Sequence, residues 1–305
     1  MSFLTKGYNE LNRLINENFE ELTTIIPLLM LGIIALYPMG YLFYLSFFES
    51  GIFGTEFAGF GNYLRLLTST EFHQYLTNTA FYSAGTITIS FLLGFTVALC
   101  LDKVKTDRIR WVYMALILLS WAIPLSVTGL IWRWIFNGDW GLINSILVRW
   151  GMIGNPINFL GNPDIVWYAG ILTDSWARFP FFTLVIYAGL QTIPAQLYEA
   201  GTIDGASIPR LFRHITLPLL KGPLLVSLLI QTMFAFRTFT ILYTLTSGGP
   251  GDTTTTLAIY IYKQGILKLH FGYSSAISVV LLLFCLGIAV VYASFLQAET
   301  METGA

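Results

Sequence analysis

Residues that could carry chemistry are sparse in this chain, and the clearest pair is Asp174 and Arg178. They stand four residues apart, on one face of a helix, with the acid before the base as helical ion pairs prefer. The histidines His73, His214 and His270 are far apart and belong to no H-E-x-x-H motif. The chain also lacks a G-x-x-x-x-G-K-S/T loop for nucleotide phosphates. The sequence therefore predicts no catalytic residue, no metal site and no nucleotide site of its own.

The composition predicts a membrane protein built of helices. Of the 305 residues, 55% are apolar and only 11% are charged, whereas a soluble domain carries about a quarter charged residues. The mean hydropathy is +0.68. The net charge of -1 gives no reason to expect a nucleic-acid partner. Cys100 and Cys285 lie inside apolar runs, where we expect them to act as small apolar residues. We predict an all-α membrane protein embedded in a lipid bilayer.

Six nearly uncharged stretches are long enough to cross a membrane, which takes about 20 residues. They are residues 22–48, 78–101, 111–135, 165–190, 222–246 and 273–297. These stretches divide the chain into a segment 1–21, a six-span domain 22–297 and a tail 298–305. The fourth and fifth spans are joined by a long loop, residues 191–221.

The distribution of lysine and arginine predicts that both termini lie in the cytoplasm, because basic loops are retained on that side of the cell membrane. In this orientation the inner segments hold nine basic residues and the outer segments hold four. The inner residues are Lys6, Arg13, Lys103, Lys105, Arg108, Arg110, Arg210, Arg213 and Lys221. The outer residues are Arg65, Arg149, Lys263 and Lys268.

Two segments outside the spans are predicted to lie along the membrane surface. Residues 4–19 place apolar side chains at spacings of three and four, which indicates a short amphipathic helix on the cytoplasmic face. The alternative for this segment is a frayed polar tail. Residues 137–164, which include Trp140 and Trp150, are expected to contain an interfacial helix on the outer face.

The inner loop from Gln191 to Lys221 has the pattern of a helix, a sharp turn and a second helix. Ala195 to Ile203 are good helix formers, and Asp204-Gly205 interrupts them because glycine can adopt the left-handed conformation that ends a helix. Ser207 is expected to cap the second helix, and Leu217-Pro218 is expected to end it. An ordered helical element at this position needs a partner to dock against.

Part of this loop matches a known pattern. The string Tyr198-Glu199-Ala200-Gly201-Thr202-Ile203-Asp204-Gly205-Ala206 is followed by Phe212, Ile215 and Leu217-Pro218. The pattern resembles the EAA loop of ABC-importer permeases, and more narrowly the carbohydrate branch that contains the maltose and glycerol-3-phosphate permeases. Further similarity lies in Asn78-Thr79-Ala80, Trp132-Arg133-Trp134, Phe179-Pro180-Phe181-Phe182 and Gly248-Gly249-Pro250-Gly251. Gly201 departs from the family, which usually has a second alanine there, and is expected to loosen the first short helix.

The resemblance implies a type I ABC importer permease fold whose cytoplasmic coupling helices sit in a cleft of a separate ATPase subunit. It implies that this contact is made by Tyr198, Glu199, Ala200, Asp204, Gly205, Ala206 and Phe212. It further implies a second permease subunit, usually a distinct homologous chain, and an extracytoplasmic sugar-binding protein. Two ATP-binding subunits would hold ATP and Mg, so this chain would bind no cofactor and would be a transport subunit, not an enzyme.

The polar residues inside the spans leave two interpretations open. A charge in the middle of the bilayer costs about 2.5 to 3.5 kcal/mol, so such residues are functional candidates. In the first interpretation, Asp174, Trp176, Gln231 and Arg237 line the path of a sugar, whose hydroxyls bind the polar groups. In the second, Asp174 and Arg178 form a structural ion pair that locks two helices together.

Two other functions are compatible with the residues alone. The first is a secondary transporter driven by an ion gradient, with Asp174 as its acidic candidate in the membrane. The second is a membrane scaffold that transports nothing and whose inner loop recruits a soluble partner.

Overall fold

The computed structural model describes the backbone of residues 2–51 and 54–303, and the side chains of residues 23–25, 27–50 and 54–297. Its helices are α1 (Ser2–Ser46), α2 (Gly61–Thr68), α3 (Thr70–Asp102), α4 (Asp107–Ala122), α5 (Leu125–Ile135), α6 (Leu142–Arg149), α7 (Val166–Gln191), α8 (Ala195–Ile203), α9 (Ile208–Leu211), α10 (Leu217–Phe236), α11 (Thr240–Thr246), α12 (Leu257–Tyr262) and α13 (Phe271–Thr303). Wider π turns occupy Phe212–Thr216 and Lys263–Leu267. The predicted helical fold is confirmed, and it carries one addition, the antiparallel hairpin of β1 (Phe48–Gly51) and β2 (Gly54–Phe57).

Four helical stretches of the described chain are long and apolar enough to cross a membrane. They are Thr23–Ser46, Thr70–Asp102, Ile208–Phe236 and Phe271–Gln297. A fifth span results if α4 and α5 are taken together, although they meet at an angle of 93°. The predicted span 111–135 is therefore sharply bent, because Pro124 cannot continue a helix and Ile123 before it is extended, with ψ 129°.

Two other predicted segments differ from the helices observed. The predicted span 222–246 is interrupted: α10 ends at Phe236, and α11 begins at Thr240. At the N-terminus, one continuous helix, α1, replaces a separate surface segment followed by a span. The side chains of residues 4–19, on which the amphipathic prediction depends, lie outside the described residues, as do those of the tail 298–305. In the segment 137–164 the helix is α6, which is only eight residues long.

One compact unit of the chain comprises residues 1–66 and 264–279. Asn62 fixes the entry to its hairpin, because this buried amide donates hydrogen bonds to the carbonyls of Ser46 and Phe48, each at 2.9 Å. Gly272, at the start of α13, lies directly against the hairpin. A Cβ atom there would sit 1.8 Å from the Phe48 carbonyl oxygen, so only glycine allows this approach.

The second unit, residues 67–263 and 280–305, holds the larger apolar core. Helices α3, α7 and α10 share one cluster, made of Ala98, Phe182, Ile186, Leu190, Leu220 and Leu224. Gly94 brings α3 against α7: a Cβ atom at this position would lie 2.5 Å from the Phe182 Cβ and 2.7 Å from the Phe179 carbonyl oxygen. Small residues allow membrane helices to pack backbone to backbone in this way.

Replacing Gly94 by alanine should lower the stability of the protein by about 1 to 3 kcal/mol, because α3 and α7 must separate to admit the methyl group. The measurement is the thermal unfolding of the detergent-solubilised protein. Gly287→Ala is the matched control, since nothing lies within 4 Å of its Cβ position. The control should leave the melting temperature unchanged or raise it. Equal melting temperatures for both variants would show that the close approach at Gly94 contributes nothing.

Candidate functional site

Asp174 and Arg178 lie at the centre of a hydrogen-bond network that connects three helices. Arg178 Nε donates to Asp174 Oδ1 at 2.7 Å, and the Tyr82 hydroxyl donates to Asp174 Oδ2 at 3.0 Å. The two terminal nitrogens of Arg178 donate to Gln231 Oε1 at 3.2 Å and to Thr238 Oγ1 at 2.6 Å. Asp174 is fully buried. Further hydrogen bonds stabilise a buried ion pair, and here both carboxylate oxygens of Asp174 and all three guanidinium nitrogens of Arg178 take part in them.

The partners of this ion pair come from separate parts of the chain. Asp174 and Arg178 are on α7, Tyr82 is on α3, Gln231 is on α10, and Thr238 lies in the break between α10 and α11. Sequence reasoning placed Asp174, Arg178 and Gln231 among the candidates and missed Tyr82 and Thr238. No local pattern indicates these two residues, because their significance depends on which helices pack together.

Beside the network lies a cavity of about 490 Å³. Its polar lining consists of Arg178, Gln231, Arg237, Thr238 and Thr240. Its aromatic lining consists of Trp121, Phe181, Phe234 and Phe239. A concave surface that combines aromatic rings with a few polar groups is typical of a small-molecule site.

Of the four residues predicted for a substrate path, two line the cavity and two do not. Gln231 and Arg237 line the cavity. Asp174 does not, because its side chain is fully buried. Trp176 is also absent from the lining, and its ring packs against Trp132 with 5.9 Å between the ring centroids.

The inner loop forms a compact pair of short helices. Gly205 turns the chain between α8 and α9 with φ +76°, a conformation that favours glycine. The Tyr198 hydroxyl lies 2.9 Å from Thr216 Oγ1 and joins α8 to the π turn. Gly201 allows the Leu211 side chain to pack closely against α8, because a Cβ atom at this position would lie 2.5 Å from Leu211 Cδ2. Its role is therefore more than the loosening of α8 that the sequence predicted.

The residues predicted to contact an ATPase subunit fall into two groups. Tyr198, Ala206 and Phe212 are half-buried, and the Phe212 ring packs against Phe95 of α3 at 6.1 Å between centroids. The other four point outward and are exposed: Glu199, Ala200, Asp204 and Gly205. Two apolar side chains beside them are also open to solvent, Ile203 at 86% and Ile208 at 78%. The first group holds the loop to the body of the protein, while the second offers a surface that is both acidic and apolar.

The second helix of this loop does not end at Leu217-Pro218, so that prediction is wrong. The π turn Phe212–Thr216 continues directly into α10, and the Leu217 backbone N–H donates to the Phe212 carbonyl. A proline is tolerated here because it stands in the first turn of α10, where its missing N–H costs little. Ser207 precedes α9 in an extended conformation, but its side chain makes no capping hydrogen bond.

The motif Asn78-Thr79-Ala80 lies against the chain that follows the motif Gly248-Gly249-Pro250-Gly251. The Asn78 side-chain amide donates to the carbonyls of Thr253 and Thr255 at 2.9 and 3.0 Å. Thr79 Oγ1 accepts the backbone N–H of Leu257 at 2.9 Å. Residues 78 and 79 of α3 therefore anchor the loop that follows the glycine-rich motif at residues 248–251.

Comparison of this sequence with known protein families identifies the family to which the chain belongs. The model of the family described as "Binding-protein-dependent transport system inner membrane component" matches residues 87–298, which is more than half of the chain. The chain belongs to this family. It is a permease subunit of an ABC importer, a transport component embedded in the membrane, and ATP is hydrolysed by a separate subunit. Membership also decides against an ion-gradient-driven transporter and against a scaffold that transports nothing.

Two relatives resemble this permease over most of its length. The sulfoquinovosyl glycerol transport system permease protein SmoG of Agrobacterium fabrum is 37% identical over 274 residues, which are 89% of this chain and 88% of that protein. The trehalose/maltose transport system permease protein MalF of Thermococcus litoralis is 37% identical over 271 residues, which are 88% of this chain and 90% of that protein.

Solved structures confirm the permease fold. A chain of a bacterial ABC transporter involved in the import of the acidic polysaccharide alginate superposes with a TM-score of 0.81 at 20% identity, covering 95% of this chain and 99% of that chain. The bacterial alginate ABC transporter in complex with an alginate pentasaccharide-bound periplasmic protein gives a TM-score of 0.80 at 21% identity, with 92% and 94% covered. At these identities the comparison shows the fold alone.

Proposed function

We propose that this permease carries a mono- or oligosaccharide across the cell membrane, and that the sugar passes through the cavity beside Arg178. The observation that carries the proposal is the composition of this cavity. Gln231 and Arg237 provide hydrogen-bonding groups, and rings such as Phe234 and Phe239 provide apolar faces. Sugars present both hydroxyl groups and apolar C–H faces, which such a lining matches. The names of the two relatives, which refer to glycosides, support the same substrate class.

The same proposal assigns the partners. The exposed surface of the inner loop, centred on Glu199 and Gly205, docks on one of two ATP-binding subunits, which hold ATP and Mg. A second permease subunit, a distinct homologous chain, completes the path. An extracytoplasmic sugar-binding protein delivers the substrate to outer segments that include residues 252–270. The description of the family as binding-protein-dependent supports this last contact. Both termini of the chain then lie in the cytoplasm, as the basic residues predict.

Blocking the cavity tests the path. Thr240 is exposed and lines the cavity, so Thr240→Trp should fill part of it and reduce uptake by about tenfold or more, since a clash of only 1.4 kcal/mol gives a factor of ten. Uptake is measured in cells that carry the complete importer, with radiolabelled trehalose, maltose and sulfoquinovosyl glycerol. Leu283→Trp is the control, because Leu283 is exposed on α13 away from this cavity. Equal uptake by the two variants contradicts the proposed path.

Purification tests the partners. The permease extracted gently from native membranes should co-elute with an ATPase and with a second permease of different sequence. Addition of ATP and Mg should change the amount of binding protein that co-elutes. A preparation in which the folded permease elutes with no nucleotide-hydrolysing chain contradicts the assigned partners.

A further inference from the structure

Arg237 brings a positive charge into the cavity that no carboxylate of the described residues contacts. It follows the last residue of α10, and its side chain is exposed. Nε donates to the Met233 carbonyl at 3.2 Å, and the guanidinium carbon lies 5.7 Å from the centroid of the Phe234 ring. These contacts leave the charge itself without a counter-ion.

No other residue that lines the cavity carries a negative charge that could neutralise Arg237. Arg178 is the second ionisable residue of the lining, and Asp174 neutralises it at 2.7 Å. The two terminal nitrogens of Arg178 each donate one hydrogen bond, to Gln231 and to Thr238. Every other lining residue is neutral. The cavity therefore has a net charge of one positive unit, contributed by Arg237.

A purely structural explanation accounts for only part of this arrangement. A cation at the C-terminal end of a helix is stabilised by the helix dipole, and Arg237 occupies such a position after α10. The predicted span 222–246 places Arg237 inside the membrane, where this stabilisation is smaller than the cost of an arginine, and such residues face a cavity or a partner for that reason. An anion that visits the cavity would provide the missing counter-charge.

We propose that the cavity selects carbohydrates that carry an anionic group, a carboxylate, a sulfonate or a phosphate, and that Arg237 recognises this group. The planar guanidinium can donate two parallel hydrogen bonds to such an oxyanion. The neighbouring rings of Phe234 and Phe239 then cover the apolar face of the sugar. The inference rests on the proposed function, because it requires that the substrate passes through this cavity.

The first test measures the electrostatic potential in the cavity and does not depend on the identity of the substrate. A single reporter thiol is placed by Thr240→Cys in a chain that also carries Cys100→Ser and Cys285→Ala, which remove the two free cysteines. The probes are two methanethiosulfonate reagents of similar size, the anionic ethylsulfonate and the cationic ethyltrimethylammonium. The ratio of their reaction rates, divided by the same ratio for a free thiol in solution, reports the local charge.

We expect this corrected ratio to favour the anionic reagent, and Arg237→Gln to lower it about tenfold. Arg237→Lys should keep the preference, because the positive charge is retained. A corrected ratio near one in the parent chain, or a ratio that Arg237→Gln leaves unchanged, overturns the inference.

The second test compares two matched glycosides in cells that carry the complete importer, anionic sulfoquinovosyl glycerol and neutral glucosyl glycerol. We expect uptake of the anionic glycoside, and Arg237→Gln should reduce it about tenfold or more, whereas Arg237→Lys should retain most of it. Uptake of the neutral glycoside alone, or equal losses for both glycosides, overturns the inference.

The two proposals can fail separately. If labelling of the Thr240→Cys thiol leaves uptake intact, the cavity is not the path, and the proposed function fails at that point. If labelling stops uptake but neither the rate ratio nor the glycoside preference depends on Arg237, the path is right and the charge selection is wrong.

Discussion

Replacing Asp174 by alanine will leave the Arg178 guanidinium, whose side chain is only 11% exposed, without its counter-ion, and the protein will lose about 3 kcal/mol of stability. Tyr82 and Thr238 cannot replace the carboxylate, because their hydroxyls are neutral. We expect most of the variant to be lost during extraction, and the remainder to melt far below the parent protein. The measurements are the monodisperse fraction in detergent and the thermal unfolding temperature.

An exposed ion pair of the same kind provides the control. Asp107 and Arg110 also interact across one helical turn, at 2.8 Å, but the Asp107 side chain is 80% exposed. Asp107→Ala should therefore change the stability by less than about 1 kcal/mol. The double variant Asp174→Leu and Arg178→Leu should recover part of the loss, because it leaves no unpaired charge. Similar melting temperatures for Asp174→Ala and Asp107→Ala would contradict the structural importance of the buried pair.

Replacing Gly205 by glutamate should abolish transport while the protein still inserts in the membrane. Nothing lies within 4 Å of the position that a Cβ atom would occupy at Gly205, so the new side chain meets no atom of this chain. It points instead into the surface that we assign to the ATP-binding subunit. We expect uptake to fall by about tenfold or more, because 1.4 kcal/mol lost at the contact is already a factor of ten. The measurements are uptake in cells and substrate-stimulated ATPase activity of the reconstituted complex.

Gly151→Glu separates the loss of docking from backbone strain. Gly151 has φ +68°, close to the +76° of Gly205, and its Cβ position is also free of neighbours. Both substitutions strain the backbone to a similar extent, but Gly151 lies between α6 and α7, outside the inner loop. Glu199→Ala should reproduce the defect of Gly205→Glu without any strain. If Gly205→Glu and Glu199→Ala both leave uptake and substrate-stimulated ATPase activity at the level of the parent protein, the assigned contact is wrong.

Features with a local physical cause could be predicted from the sequence. The apolar runs indicated the long helices α3 and α13, because hydropathy is a property of the segment itself. The helix formers at 195–203 and the glycine at 205 predicted α8 and its turn, and both are present. The bend at Pro124 was not predicted, because membrane helices tolerate proline, and only the packing of α5 against its neighbours determines the angle.

Features that depend on tertiary contacts were not predictable in the same way. No glycine or proline marks the break at Arg237–Phe239, where the Thr238 hydroxyl accepts a hydrogen bond from Arg178 of α7. The error at Pro218 has a different origin, since a wide turn before a proline cannot be distinguished from a helix end by residue type.

The helical run from Ile208 to Phe236, which includes the π turn Phe212–Thr216, would act as a lever if it moves as one body. Its 29 residues span about 43 Å at about 1.5 Å per residue. One end belongs to the inner loop, and Arg237 follows directly after the other. If this rod pivots about its midpoint by about 5°, its two ends move in opposite directions by about 2 Å each, which follows from the same dimensions. A small displacement imposed at Ile208 would thus reshape the surroundings of Arg237, and no residue between them would need to change conformation.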